Sequence, residues 1–222
     1  MGKQLPLQGE KSTVDHITVG LTKIATALRS QAWEGGMTRK LTPTQGQILG
    51  FLADRAAQPV RLNDVATELC LTAATASEAV MTLVEKKFVH KARSAEDHRA
   101  LVITLTAAGR REAQLVTGWT QVVQAGVKSL TPEEQAVLLR GLTKVIHSLQ
   151  EQGAISVVRM CAGCTYFQPH VHTDAAKPHH CGLMDKAIGE GQLRLDCPEF
   201  MPGVEIEQVR RWERFLGSGE GR

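Results

Sequence analysis

Two short segments with helical apolar spacing, followed at once by two with strand alternation, constrain this chain more than any other feature. Residues 61–70 place Leu62, Val65, Ala66 and Leu69 on one helical face. Residues 71–85 do the same with Ala76, Ala79, Val80 and Leu83, and Thr72 stands where a hydroxyl can accept a bond from an unpaired first-turn N–H. Residues 88–93 and 100–106 then read as strands, the second alternating through Leu101, Ile103 and Leu105. Two short helices around a tight turn, followed by a hairpin, make the pattern of a winged helix-turn-helix.

In that layout the second helix enters the major groove. Thr72, Thr75 and Ser77 offer hydroxyls, and Ala73 and Ala76 offer methyl contacts to thymine. Glu78 either accepts from a cytosine amino group or is a solvated helix position. Lys91, Arg93 and Arg99 sit near the hairpin tip, where they can reach phosphates or the minor groove, and Asp97 between them is expected to support the wing. The run Arg93-Ser-x-Glu-Asp-x-Arg-Ala, followed by Leu-Thr-x-x-Gly-Arg110, resembles the wing signature of the MarR family of transcriptional regulators. The resemblance spans residues 12–150. It implies a homodimer whose first and last helices interlock two chains, double-stranded DNA with a pseudo-palindromic operator as partner, and a possible small-molecule effector. The chain departs from the family at Ala73 and Glu78, near which relatives often carry arginine.

The flanking helices follow from the same periodicity. Val14, Ile17, Leu21, Ile24 and Leu28 form a narrow stripe, with Gly35-Gly36 as the expected stop. Pro43 suits the first turn of the next helix, whose core face is Ile48, Leu49 and Leu52. Residues 106–128 read as one long helix carrying Leu115, Trp119, Val122 and Val123, in which Gly118 and Gly126 allow either close approach or a bend. Thr131-Pro-Glu-Glu134 is a capping-box start for a helix through Leu138, Leu142, Val145 and Leu149.

Past Gly153 the chain changes character. Four of the five cysteines lie in Cys161-Ala-Gly-Cys164, Cys181 and Cys197, separated by 16 and 15 residues after the first pair. Four soft thiolates with few large apolar residues around them suit metal ligation, and a reduced interior disfavours disulfides. One close pair and two single cysteines favour an iron–sulfur cluster, of a type the spacing does not fix, over zinc. Cys-x-x-Cys-x-x-Phe, a lone Cys and Cys-Pro-x-Phe resemble small cluster-binding modules, with Phe167 and Phe200 placed to shield inorganic sulfide. A Rieske arrangement lacks its Cys-x-His. His170, His172, His179 and His180 are not expected as ligands, although His180 could donate to a sulfur. Cys70 reads as a small buried residue, and Val204, Val209, Trp212, Phe215 and Leu216 as the docking face of a last helix.

The net charge of +3 is uneven: the surplus of Lys and Arg lies in residues 1–150, and 151–222 carry more Asp and Glu. That suits a nucleic-acid surface on the first part only. With no signal peptide and no long apolar run, a cytoplasmic location without membrane is expected. The fold class is mainly α with a small β-wing: a flexible arm over 1–11, winged helix-turn-helix and helical dimerisation layer over 12–150, and a cysteine-rich module with a terminal helix over 151–222. The function read from this is a sequence-specific regulator whose module senses redox state, oxygen, iron or metal. One alternative is a regulator with a structural zinc site and a separate effector pocket. A less favoured one is a redox or metal-dependent enzyme, for which Cys161 and Cys164 lack a thioredoxin-like βαβ context.

Overall fold

The computed structural model describes residues 11–55, 60–93, 101–156 and 158–217. Ser12 starts the first helix among the described residues, α1 (Thr13–Met37), through a capping box with Asp15. A second box, Thr42 with Gln45 and proline in the first turn, starts α2 (Pro43–Asp54). Strand β1 (Val60–Arg61) leads directly into α3 (Leu62–Glu68), and Thr72 caps α4 (Ala73–Glu85) by accepting from Thr75 N. Strands β2 (Val89–Arg93) and β3 (Leu101–Leu105) pair antiparallel with Val89 opposite Leu105 and Arg93 opposite Leu101. β1 joins the free edge of β3, so that the sheet order is β1-β3-β2. Helices α5 (Ala107–Val116), α6 (Gln121–Lys128) and α7 (Pro132–Glu151) follow, the last opened by the Thr131–Glu134 box.

These elements close on one aliphatic core. Ile48, Leu49, Val65, Ala76, Val80 and Leu83 have no exposed surface, and Ile103 lies across them from the sheet. Helix α4 owes its position to the stripe Ala76–Ala79–Val80–Leu83, whose burial is worth about 25 cal/mol per Å² of apolar surface removed from water.

Three expectations are corrected here. Helix α1 runs through Gly35-Gly36 to Met37 instead of stopping there. The reason is packing: a Cβ at Gly35 or Gly46 would overlap the Trp119 ring, so these glycines make its slot. The single helix expected over 106–128 is broken by a tighter 3-10 turn at Thr117–Thr120, which contains both Gly118 and that tryptophan. Cys70 is exposed, with φ 51°, in the turn between α3 and α4, where the backbone needs a left-handed residue and leaves nothing to bury the thiol.

Residues 158–217 form a second, smaller core. Strands β4 (Phe167–Gln168), β5 (His179–Cys181) and β6 (Lys186–Ile188) make an antiparallel sheet in that order. Helix α8 (Glu205–Gly217) packs on it through Phe215, which is fully buried with Phe167, Ile188 and Leu193. Trp212 stacks on His147 of α7 at 3.7 Å between ring centres. Val204 and Val209, expected at the docking face, are exposed at 67% and 53%, because Phe215 and Trp212 already fill the contact. No helix among the described residues is long and apolar enough to cross a membrane.

Candidate functional site

Two surfaces collect the residues singled out from the sequence. On the lobe, Thr72, Ala73 and Thr75 are exposed on the first turn of α4, and Ser77 is half-buried. The Thr72 and Thr75 hydroxyls lie 2.8 Å apart, so part of their bonding capacity is spent on the cap. Ala76 does not belong to this surface. It is 0% exposed, because it shares the core stripe with Val80 and Leu83, and it cannot meet a base. Ala74 and Glu78, two residues before and after it and so on the opposite side of the helix, are exposed instead. Lys91 and Arg93 are exposed on β2. Arg99 and Asp97 lie outside the described residues.

Thr106 anchors the base of the wing. Its hydroxyl donates to Lys87 O at 2.8 Å and accepts from Gly109 N at 2.9 Å. Gly109 is required where it stands, since a Cβ would collide with Phe88 O. The α1 and α7 stripes stay uncovered in the single chain: Val14 is 71% exposed, Ile17 56%, Leu138 40% and Val145 43%.

The second surface is the cysteine cavity. Cys161, Cys164, Cys181 and Cys197 line one space of about 50 Å³, walled by Phe167, Ile188, Leu183 and Met184. Different elements bring them there. Cys161 opens a 3-10 turn that ends at Cys164, Cys181 closes β5, and Cys197 N donates to Arg159 O at 2.9 Å. Among the described residues, His170, His179 and Glu190 bring three ligand atoms mutually within 4.8 Å. Burial pushes the Cys161 thiol up, and the neighbouring Cys197, Cys164 and Cys181 push the same way against a lowering N–H bond from Arg194.

Arg194 is the residue sequence reasoning missed. Its backbone N–H donates to Cys161 Sγ at 3.3 Å and its guanidinium to Cys197 Sγ at 3.7 Å. The available signal was a basic side chain three positions before Cys197. His180, expected as a sulfur donor, turns elsewhere: Nδ1 meets His172 Nε2 at 3.2 Å and Nε2 lies 3.5 Å from Asp185. Phe167 lines the cavity, whereas Phe200 packs beneath it on Gly163.

The His170, His179 and Glu190 group is not a metal centre of the ordinary kind. His170 N donates to His179 Nδ1 at 3.3 Å, which leaves the proton on Nε2. That nitrogen faces Glu190 Oε1 at 3.3 Å without completing a hydrogen bond. Arg140 of α7 reaches the same oxygen at 3.2 Å and donates to Phe215 O at 3.1 Å. Burial alone would raise the Glu190 carboxyl, but His179 and Arg140 outweigh it and hold it below the usual range. The cluster fastens the cysteine-bearing sheet and α8 to α7.

Residues 40–100 match the model of the MarR family. An uncharacterized HTH-type transcriptional regulator of Bacillus subtilis, YwhA, is 25% identical over 137 residues, covering 61% of this chain and 94% of that protein. Staphylococcus aureus MepR in its DNA-binding conformation is 27% identical with a TM-score of 0.56, covering 60% of this chain and 98% of that one. The MepR–DNA complex gives 26% and 0.55, covering 63% and 100%. More than a third of the present chain lies outside each of these three likenesses. The family and the matched proteins are transcription regulators, not enzymes. Over residues 40–100 the chain is similar to the MarR family, and over about three fifths of its length it resembles a curated HTH-type regulator and the solved MepR structures.

Proposed function

We propose that this chain is a homodimeric DNA-binding transcriptional regulator whose four-cysteine site holds an iron–sulfur cluster and sets DNA affinity. The exposed first turn of α4 reads the major groove, and Lys91 and Arg93 contact the backbone beside it. A MepR likeness that includes a DNA complex supports this. The exposed stripes of α1 and α7 support a second copy as their cover, with half-sites about one turn of DNA apart.

The convergence of four thiols on one small apolar cavity carries the cofactor reading. One close pair and two single cysteines, Cys161, Cys164, Cys181 and Cys197, suit an iron–sulfur cluster, whose irons take thiolate ligands and whose sulfides apolar walls keep from water. Such a group, when bound, supplies a centre sensitive to oxidants and to iron supply. Phe167 and Ile188 exclude water from the cavity, and Arg194 offsets thiolate charge at Cys161 and Cys197.

A second reading keeps zinc as a structural pin and places sensing in the pocket of about 700 Å³ between α1, α2 and α4, which reaches Thr75, Glu78 and Ala79. DNA titration of anaerobically prepared protein, before and after chelation, separates the two. A shift of about fivefold or more is expected if the cysteine site is the sensor. Equal affinities, with the module still folded, favour the pocket.

A further inference from the structure

Cys197 follows Asp196 directly, and Asp196 is where the cysteine loop meets the DNA-binding lobe. Its carboxylate accepts from Arg159 Nε at 2.8 Å and Nη2 at 2.6 Å, and lies 3.9 Å from Arg55 Nη2. The same Arg55 nitrogen donates to Glu68 Oε1 at 3.0 Å. Arg55 caps the C-terminus of α2, rests its guanidinium 3.9 Å above the Phe51 ring, and has a side chain only 11% exposed. Glu68 is the last residue of α3, with Leu69, Cys70 and Leu71 between it and the Thr72 cap of α4.

One guanidinium therefore serves two carboxylates, one from the helix-turn-helix and one from the cysteine loop. Being largely buried, it is screened less than a surface pair. The loop cannot move without carrying Asp196. Cys161 N donates to Arg194 O at 3.0 Å and Cys197 N to Arg159 O at 2.9 Å, so residues 194–197 are stitched to 159–161. Drawing the four thiolates onto a common ligand would shift Cys197, and Asp196 beside it. Attraction falls with distance, so closing the 3.9 Å gap to 3.0 Å would strengthen the Asp196–Arg55 pull by about a third, at the expense of Glu68.

We infer that Asp196 and Arg55 are positioning residues that pass the state of the cysteine site to the end of α3, and so to the aim of α4. This rests on the sensing role proposed above and concerns the ratio of DNA affinities between loaded and stripped protein, whichever form binds more tightly. The test uses the full chain, loaded anaerobically with ferrous iron and inorganic sulfide or stripped with a chelator. The DNA is a duplex selected from a random pool by the parent protein. The parent ratio is expected to be about fivefold or more. Asp196→Asn and Glu68→Gln should each bring it to within about twofold of unity with iron content unchanged, and the double variant should add nothing further. Glu68→Gln, remote from the thiols, decides the matter if Asp196→Asn loses iron. A parent-like ratio in a variant with normal iron content would overturn the inference alone. A parent that does not load, or whose two forms bind DNA equally, would overturn the sensing role and the inference with it.

Discussion

The winged-helix lobe fills its interior with aliphatic side chains from several helices and a sheet: Ile48, Leu49, Val65, Val80, Leu83 and Ile103 are all at 1% exposure or less. The region from Met160 to Phe215 gathers far fewer, chiefly Met160, Phe167, Ile188, Leu193 and Phe215, around thiols and ion pairs. The lobe can close on burial alone. The module sets its short strands with polar contacts, Arg140 to Glu190 and Arg159 to Asp196, and brings four thiols to one cavity. A core that small gains from a crosslink, and ligation through the cysteines, as proposed above, would supply one. If the cysteine site senses a signal as proposed, the response would start in the region with the smaller core and be read out by the one with the larger.

The difference breaks most sharply at the ligands. Serine at Cys161, Cys164, Cys181 or Cys197 should lose most of the bound iron, because three ligands leave the site exchangeable. Cys70→Ser, exposed in the lobe's turn, should retain it. Metal analysis of the five variants checks this, and full iron content in a ligand variant removes that cysteine from the site. Next come the two cores. Phe215→Ala should cost about 3–5 kcal/mol and Leu83→Ala about 2–5 kcal/mol. The first should expose the module to proteolysis and spare the lobe, and the second should lower DNA binding even in protein that keeps its iron. One shared loss in both variants would mean that the regions stand or fall together.

Much of the lobe was legible before any coordinates, and much of the module was not. Ala76, Val80 and Leu83 recur at helical spacing because burial selects one face, and the first-turn proline at Pro43 and the capping box at Thr131 are local by nature. That same stripe shows why Ala76 was a poor choice for base contact. The misread end of α1 depended on Trp119, which is distant in sequence from the glycines it packs against. The four thiols could be named as a set, but the pairing of Asp196 with Arg55 could not, because its partners come from separate elements and no periodicity marks an ion pair.

Smaller effects sharpen the electrostatic side of the contrast. Lys91→Ala on the exposed face of β2 should weaken binding to many duplexes alike and lower the salt slope by about one, as a phosphate contact does. An unchanged slope in a salt titration would remove Lys91 from the interface.

The smallest effect concerns pH. Burial lowers His147 below its ordinary value of 6.5, against a smaller raising effect of Glu151. The fold then binds fewer protons than the unfolded chain just below 6.5. The His147–Trp212 contact is fully present above that pH and is lost as pH falls through it toward the lower folded value. Tryptophan emission, referenced to Trp212→Phe, should show a shallow acid step as pH falls below 6.5, absent in His147→Phe, which keeps the stack without a titrating group. A step that persists in His147→Phe assigns the change to another group.

The most direct measurement is the absorption spectrum of the full chain purified without oxygen, with iron, sulfide and zinc counted in the same sample. An iron–sulfur site at Cys161, Cys164, Cys181 and Cys197 predicts visible charge-transfer bands with iron and acid-labile sulfide, all lost on chelation. A colourless protein carrying one zinc per chain, or no metal after anaerobic reconstitution with iron and sulfide, would contradict it.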